Sequence, residues 1–237
     1  MCYHVSIPGS NTIKMEFDWA SVEENLEPIH HLSGFSFEKT PVITCERKDK
    51  IQFFNWGLIP GWVKDKEQAG KMQQWCLNAT GENVFEKPSF KMPINKNRCL
   101  VIVDGFFEWR ELKGKKYPYF IYLKNRKAFS LAGIYDQWVD KSTGEIFNTY
   151  SIVTTSANSL MEKIHNIKKR MPVILPKESE QSWLEASLEK EKIIQMMVPL
   201  EEDLMEAYTV SKQITSRNEN SNFSEVKRRF DYKELEV

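Results

Sequence analysis

The stretch Arg98–Trp109, RCLVIVDGFFEW, is apolar almost throughout and is broken once, at Gly105. A glycine inside a strand pattern marks a sharp bend or a close backbone approach. The run is therefore either two strands or one strand bent sharply at the glycine. Further strands follow in YPYFIYL, AFSLAGIYDQW and IFNTYSIVT, with turns at Asn125–Arg126 and Ser142–Gly144. Upstream, PVITCE and KIQFFNWG flank the charged RKDK and read as a hairpin. Helical patterning takes over after TTSAN, in SLMEKIH, ESEQSWLEASL and EKIIQMMV, and EAYTVS is a late strand. DWASVEENL, with Asp18 as N-cap, reads as one more short helix. The expected fold class is α+β: a single domain built on a curved, mostly antiparallel, open barrel-like β-sheet with peripheral short helices. It spans residues 1–216, and residues 217–237 form a charged C-terminal tail or appended helix.

Charge narrows the function classes. Thirty-three Lys and Arg against 33 Asp and Glu give a formal net charge of zero, which argues against gripping long duplex DNA through bulk charge. A local basic groove for a few phosphates stays open. No apolar run approaches the ~20 residues of a membrane span, and no signal peptide is readable at the N-terminus. The expected location is cytoplasmic or nucleoid-associated. Four cysteines, Cys2, Cys45, Cys76 and Cys99, lie far apart without a CxxC pair, so neither a zinc site nor a disulfide framework is suggested. No metal and no organic cofactor is expected. Cys45, Cys76 and Cys99 sit in apolar surroundings and read as buried thiols.

Cys2 is different. Removal of Met1 would leave it with a free α-amine and a thiol on adjacent carbons, titrating near ~7.7–8.0 and ~8.5. The amine forms an imine with an aldehyde, and the thiol then closes a five-membered thiazolidine. Other residues could serve such chemistry or have plainer roles. Glu108 lies between Phe107 and Trp109; buried, it has a raised pKa suited to proton transfer, whereas strand alternation would face it to solvent. His165 ends a short helix beside Lys168, Lys169 and Arg170, either as a proton shuttle among phosphate-holding cations or as a surface histidine at a helix C-terminus. Thr154 and Thr155 in VTTSAN bind an anion or merely cap. Trp56 and Trp62 flank IPG; exposed they stack on unpaired bases, and buried they are core. Asn78 is a cap or a polar group aimed at a site.

In sequence order, Met-Cys, WGLIPGW, NATGEN, RCLVIVDGFFEW, AGIYDQW, TTSAN and IH…RMPVIL together resemble the SOS response-associated peptidase (SRAP) family of abasic-site-processing proteins. The resemblance runs from Cys2 to about Val210. It implies a monomeric, cofactor-free sensor that covalently traps abasic sites in single-stranded DNA, with lyase and autoproteolytic, peptidase-type activity. It assigns Cys2 the amine and sulfur, and Asn78 the positioning of the Cys2 backbone and the opened sugar. Glu108 becomes the carboxylate that moves protons between sugar and amine, and His165 the group acting on the sugar hydroxyl and on crosslink reversal. Trp56, Trp62, Arg170, Met171 and Pro172 map onto segments lining the strand cleft, with Thr154 and Thr155 nearby.

The chain departs from the family pattern. His4 stands near the place of a common arginine, and Thr80 replaces the arginine of Asn-Ala-Arg. NIKK separates His165 from RMP, where the family has a compact HxRMP. Lys168 and Lys169 are expected to compensate in holding phosphates. Two other readings compete: an N-terminal-nucleophile hydrolase using Cys2, and a non-covalent single-strand-binding module.

Overall fold

The computed structural model describes residues 2–215 and 221–235. Strand β1 (His4–Ile7) leads through helix α1 (Ser10–Glu16) to β2 (Ile29–Ser33), and β3 (Lys39–Thr44) and β4 (Gln52–Trp56) form the hairpin across RKDK. Helix α2 (Lys66–Trp75) precedes the short β5 (Asn78–Thr80), and α3 (Lys91–Lys96) precedes β6 (Arg98–Val103) and β7 (Gly105–Leu112). Then come β8 (Lys115–Leu123), β9 (Phe129–Val139), β10 (Ile146–Ser156), α4 (Ser159–Ile164), β11 (Arg170–Pro172) and β12 (Ile174–Leu175). Helices α5 (Lys177–Trp183) and α6 (Lys190–Met196) and strand β13 (Met205–Thr209) follow.

The RCLVIVDGFFEW run resolves into two strands in two sheets. β6 belongs to a ring in which β10, β4, β3, β6 and β9 pair in turn and β9 returns to β10, so the expected open barrel is closed. β7 lies at the centre of a five-stranded antiparallel sheet ordered β13-β8-β7-β1-β2. Gly105 is needed because a Cβ there would sit 2.3 Å from the Phe120 ring and 2.8 Å from the Ile121 carbonyl oxygen. The lack of polar alternation in β6 follows from burial on both faces. Cys99, Val101 and Val103 join the cluster shared by the two sheets, and Leu100 and Ile102 join a second one beneath α5 and α6.

One expected element is absent. DWASVEENL forms a turn at Asp18–Trp19 and irregular backbone beyond it, and the helix lies upstream in α1. Phe17, Ala20 and Val22 are buried in the second cluster. Backbone bonds from Ser21 N–H to Asp49 O and from Ile51 N–H to Ser21 O tie the segment to the β3–β4 loop. Packing outweighed the capping signal at Asp18.

The boundary expected at residue 216 lies outside the described residues. Residues 221–235 contain 3-10 turns at Ser224–Lys227 and Lys233–Leu235 and no α-helix. They dock on the five-stranded sheet. Val226 packs with Phe107, Phe120, Val210 and Ile214, and Lys227 pairs with Asp104 at 2.7 Å.

Candidate active site

Three parts of the chain converge on Cys2, which precedes β1. β5 pairs in parallel with β10, placing Asn78 opposite Ile152, and the Asn78 Nδ2 donates to the Cys2 carbonyl oxygen at 2.8 Å. The Asn78 Oδ1 is buried and has no hydrogen-bond partner among the described residues. An orphaned buried acceptor costs about 1–3 kcal/mol unless something binds it. Cys2 is fully buried, and burial together with the nearby Glu108 charge pushes its thiol well up from the ordinary value. A resting thiolate is disfavoured.

Glu108 resolves the ambiguity of the FFEW stretch: it is only 5% exposed, on β7, and burial pushes its carboxyl up to about 8. His165 forms the C-cap of α4. Its Nδ1 lies 2.9 Å from the Arg170 carbonyl, which can only accept, so the proton sits on Nδ1. In the neutral ring Nε2 then carries no proton and can accept, and it lies 3.8 Å from Glu108 Oε2. Burial lowers the pKa of His165, favouring that neutral form. A protonated carboxyl therefore faces an unprotonated imidazole nitrogen just beyond hydrogen-bonding distance. The pair can give and take a proton at neutral pH.

Both groups open into a cavity of about 740 Å³, walled by Tyr3, Phe35, Trp109, Ile167 and the cations Lys116 and Lys168. His4 also lines it, but not as a cation. Its Nδ1 lies 2.9 Å from His31 Nε2, and His31 Nδ1 lies 2.6 Å from Ser221 Oγ. Burial first, and then His31, lower the pKa of His4 to about 3, and burial lowers that of His31 to about 4. The sequence does not announce His31, Ser221 and Asn166 as neighbours of the site: His31 meets His4, and Ser221 meets His31, only through long-range packing.

Burial and side-chain partners distinguish the residues expected to line the strand cleft. Trp56 is core, with its indole N–H donating to the Leu77 carbonyl at 2.8 Å. Met171 and Pro172 are buried on β11. Thr154 and Thr155 are buried as well, the Thr155 hydroxyl donating to Met197 O at 3.0 Å. Arg170 forms a two-pronged pair with Glu82 and donates to Thr154 O at 2.8 Å, so its charge is already compensated. Thr80 is half-buried opposite Thr154. Lys169 turns to Glu162 at 3.8 Å, leaving Lys168 as the member of the pair that lines the cavity. Trp62 is 52% exposed and lies outside the cavity lining. Among the described residues, no group of three His, Cys, Asp or Glu side chains is placed to hold a metal, and no helix is long and apolar enough to cross a membrane.

Fold and site together define a class: a closed-barrel α+β protein whose second residue is a cysteine held by an asparagine beneath a carboxyl–imidazole pair. The family model described as SOS response associated peptidase (SRAP) matches residues 1–217, and the chain belongs to that family. It is 38% identical over 182 residues to the abasic site processing protein YoqW of Bacillus subtilis (strain 168), covering 76% of this chain and 78% of that one. It is 35% identical over 150 residues to the abasic site processing protein HMCES of Gallus gallus, covering 55% of this chain and 44% of that protein. A crystal structure of a protein from Bacteroides thetaiotaomicron superposes with a TM-score of 0.90 at 40% identity, covering 97% of this chain and 100% of that one. A Bordetella bronchiseptica protein shares the fold with a TM-score of 0.77 at 19% identity.

Proposed function

We propose that the protein captures abasic sites in single-stranded DNA as a covalent thiazolidine on Cys2, once Met1 has been removed. The observation that carries this reading is the convergence on one residue: Asn78 holds the Cys2 carbonyl at 2.8 Å while Glu108 and His165 face each other at 3.8 Å beside it. An abasic deoxyribose is a cyclic hemiacetal in equilibrium with its aldehyde. His165 Nε2 takes the proton of the C1′ hydroxyl as the C1′–O4′ bond breaks, and the Glu108 carboxyl protonates O4′. As the Cys2 amine adds to the aldehyde carbon, its proton returns Glu108 to the acid and the His165 imidazolium protonates the new alkoxide; the carbinolamine then loses water with a proton supplied by Glu108, which regains one from nitrogen to leave the neutral imine. The thiol adds across the C=N bond: sulfur bonds C1′ and the thiol proton goes to nitrogen. One water leaves overall. The unpartnered Asn78 Oδ1 is suited to accept from the freed amine or a sugar hydroxyl.

The same imine acidifies the C2′ proton, and its loss with expulsion of the 3′-phosphate is the lyase branch that ring closure competes with. A thiol pushed up by burial is a poor amide-cleaving nucleophile, which supports the aldehyde reading over a cysteine hydrolase. The cavity admits a few nucleotides, with Lys168 and Lys116 as local cations and Trp62 as an outlying stacking surface. The proposed setting is a monomer acting in the cytoplasm on nucleoid DNA. The test is incubation of Met1-processed protein with a single-stranded oligonucleotide carrying one abasic site. A band that survives denaturing electrophoresis, lost with Cys2→Ala and with an undamaged strand, is expected; its absence would sink the reading.

A further inference from the structure

The residues separating His165 from Arg170 lengthen the loop that carries the imidazole, and a longer loop should hold it less firmly. Its base is closed locally, with Lys169 N–H donating to His165 O at 2.8 Å and Ala157 N–H to Lys169 O at 3.0 Å. Lys169 adopts a left-handed backbone conformation with φ 49° to allow this turn. The tip reaches the cavity, where Ile167 and Lys168 form part of the wall, Ile167 with 63% of its surface exposed.

Asn166 makes the loop's long-range attachment. Its Oδ1 accepts from Glu111 N–H at 3.0 Å and its Nδ2 donates to Glu111 O at 2.8 Å. Glu111 lies on the part of β7 beyond the reach of β1, whose pairing with β7 runs only from Gly105 to Phe107. The primary amide of Asn166 thus takes the place of a missing strand partner, satisfying a backbone donor and acceptor at once. Glu111 is three residues along the same strand from Glu108. The clasp therefore joins the residue next to His165 to the strand that carries the opposing carboxyl. We propose that Asn166 is a positioning residue: it registers the inserted loop on β7 so that His165 Nε2 faces Glu108. This rests on the proposed crosslinking chemistry for its kinetic effect, though not for its geometric one.

Two measurements on Asn166→Ala test it. The first is a cycle of crosslinking rates in wild type, Asn166→Ala, His165→Ala and the double variant. Asn166→Ala is expected to slow the wild type about tenfold and to have less than a twofold effect when His165 is already absent. Equal slowing on both backgrounds, or no slowing in the wild type, overturns the proposal, because a merely structural contact would act whatever the residue at 165. The second is the nitrogen chemical shifts of the His165 ring without DNA. They are expected to report one tautomer, protonated at Nδ1, in the wild type and a mixture in Asn166→Ala. Unchanged shifts refute the positioning role. Because this second readout needs no adduct, failure of the wild type to crosslink would reject the functional reading while leaving the clasp to stand or fall on the spectrum.

Discussion

Replacing Glu108 by glutamine separates what the residue does for chemistry from what it costs the fold. Its carboxyl, ordinarily near 4.5, is pushed up to about 8 by burial. A folded-state pKa above the unfolded one means that the folded chain binds the proton more tightly. The associated stability is complete below about 4.5 and is lost as the pH rises through about 8. At ~1.36 kcal/mol per pH unit, the wild type loses about 4 kcal/mol from this group between about pH 5 and about pH 9. Glu108→Gln keeps a polar group of similar size that never ionises, so that loss disappears. Urea unfolding of both proteins at the two pH values reads the difference directly. The variant is expected to gain on the wild type by about 4 kcal/mol on going from the acid to the alkaline condition. It should crosslink ~10²-fold or more slowly throughout, the usual size of a lost general acid. If the stability difference between the two proteins is the same at both pH values to within about 1 kcal/mol, Glu108 is not held protonated by burial, and the assignment of the acid fails.

Other perturbations separate site from scaffold. Arg98 is fully buried, and among the described residues its guanidinium donates only to backbone carbonyls: Trp183, Ile94, Asn95 and Glu185. Arg98→Met orphans those acceptors at the ends of α3 and α5 and should cost ~3–5 kcal/mol in urea unfolding, and a cost below about 1 kcal/mol would contradict that reading. Trp56→Ala should destabilise by ~3–5 kcal/mol as a core truncation. Trp62→Ala should leave the melting curve in place and weaken single-strand affinity; the reverse pattern would exchange their roles. Lys168→Ala should shallow the salt dependence of single-strand binding by about 0.7 in log–log slope, whereas Lys169→Ala should not. Equal slopes for the two variants would remove the distinction drawn from the Lys169–Glu162 pair.

The break in the run was legible because a glycine is needed at position 105 against the Phe120 ring, and a glycine within an apolar run announces such a contact. The uninterrupted apolar character of β6 likewise reflected burial on both faces. Closure of the barrel was not legible, since it needs β10 to pair in parallel with β4 across a separation no local pattern encodes. Asp18 misled because a capping residue states a preference that burial of Phe17, Ala20 and Val22 overrode. In the site, the ordered motifs pointed to Cys2, Asn78, Glu108 and His165 together. Burial, which decides whether a tryptophan stacks on bases or fills a core, was not written locally in NWGLIPGW: Trp56 and Trp62 sit six positions apart and went opposite ways. The mate of His4 lay 27 residues away in His31, and the mate of that ring lay in the C-terminal segment. The NIKK departure was visible as a length anomaly, but its clasp on Glu111 was not.

The most direct test of the account is the intact mass of the product formed, without any reductant, between Met1-processed protein and a single strand bearing one abasic site. The account predicts a species at the sum of the two masses less one water, stable to denaturation, whereas Cys2→Ser yields a lasting adduct only after borohydride reduction of its imine. A wild-type adduct that likewise requires the reductant would show that the Cys2 sulfur closes no ring, contradicting the central claim.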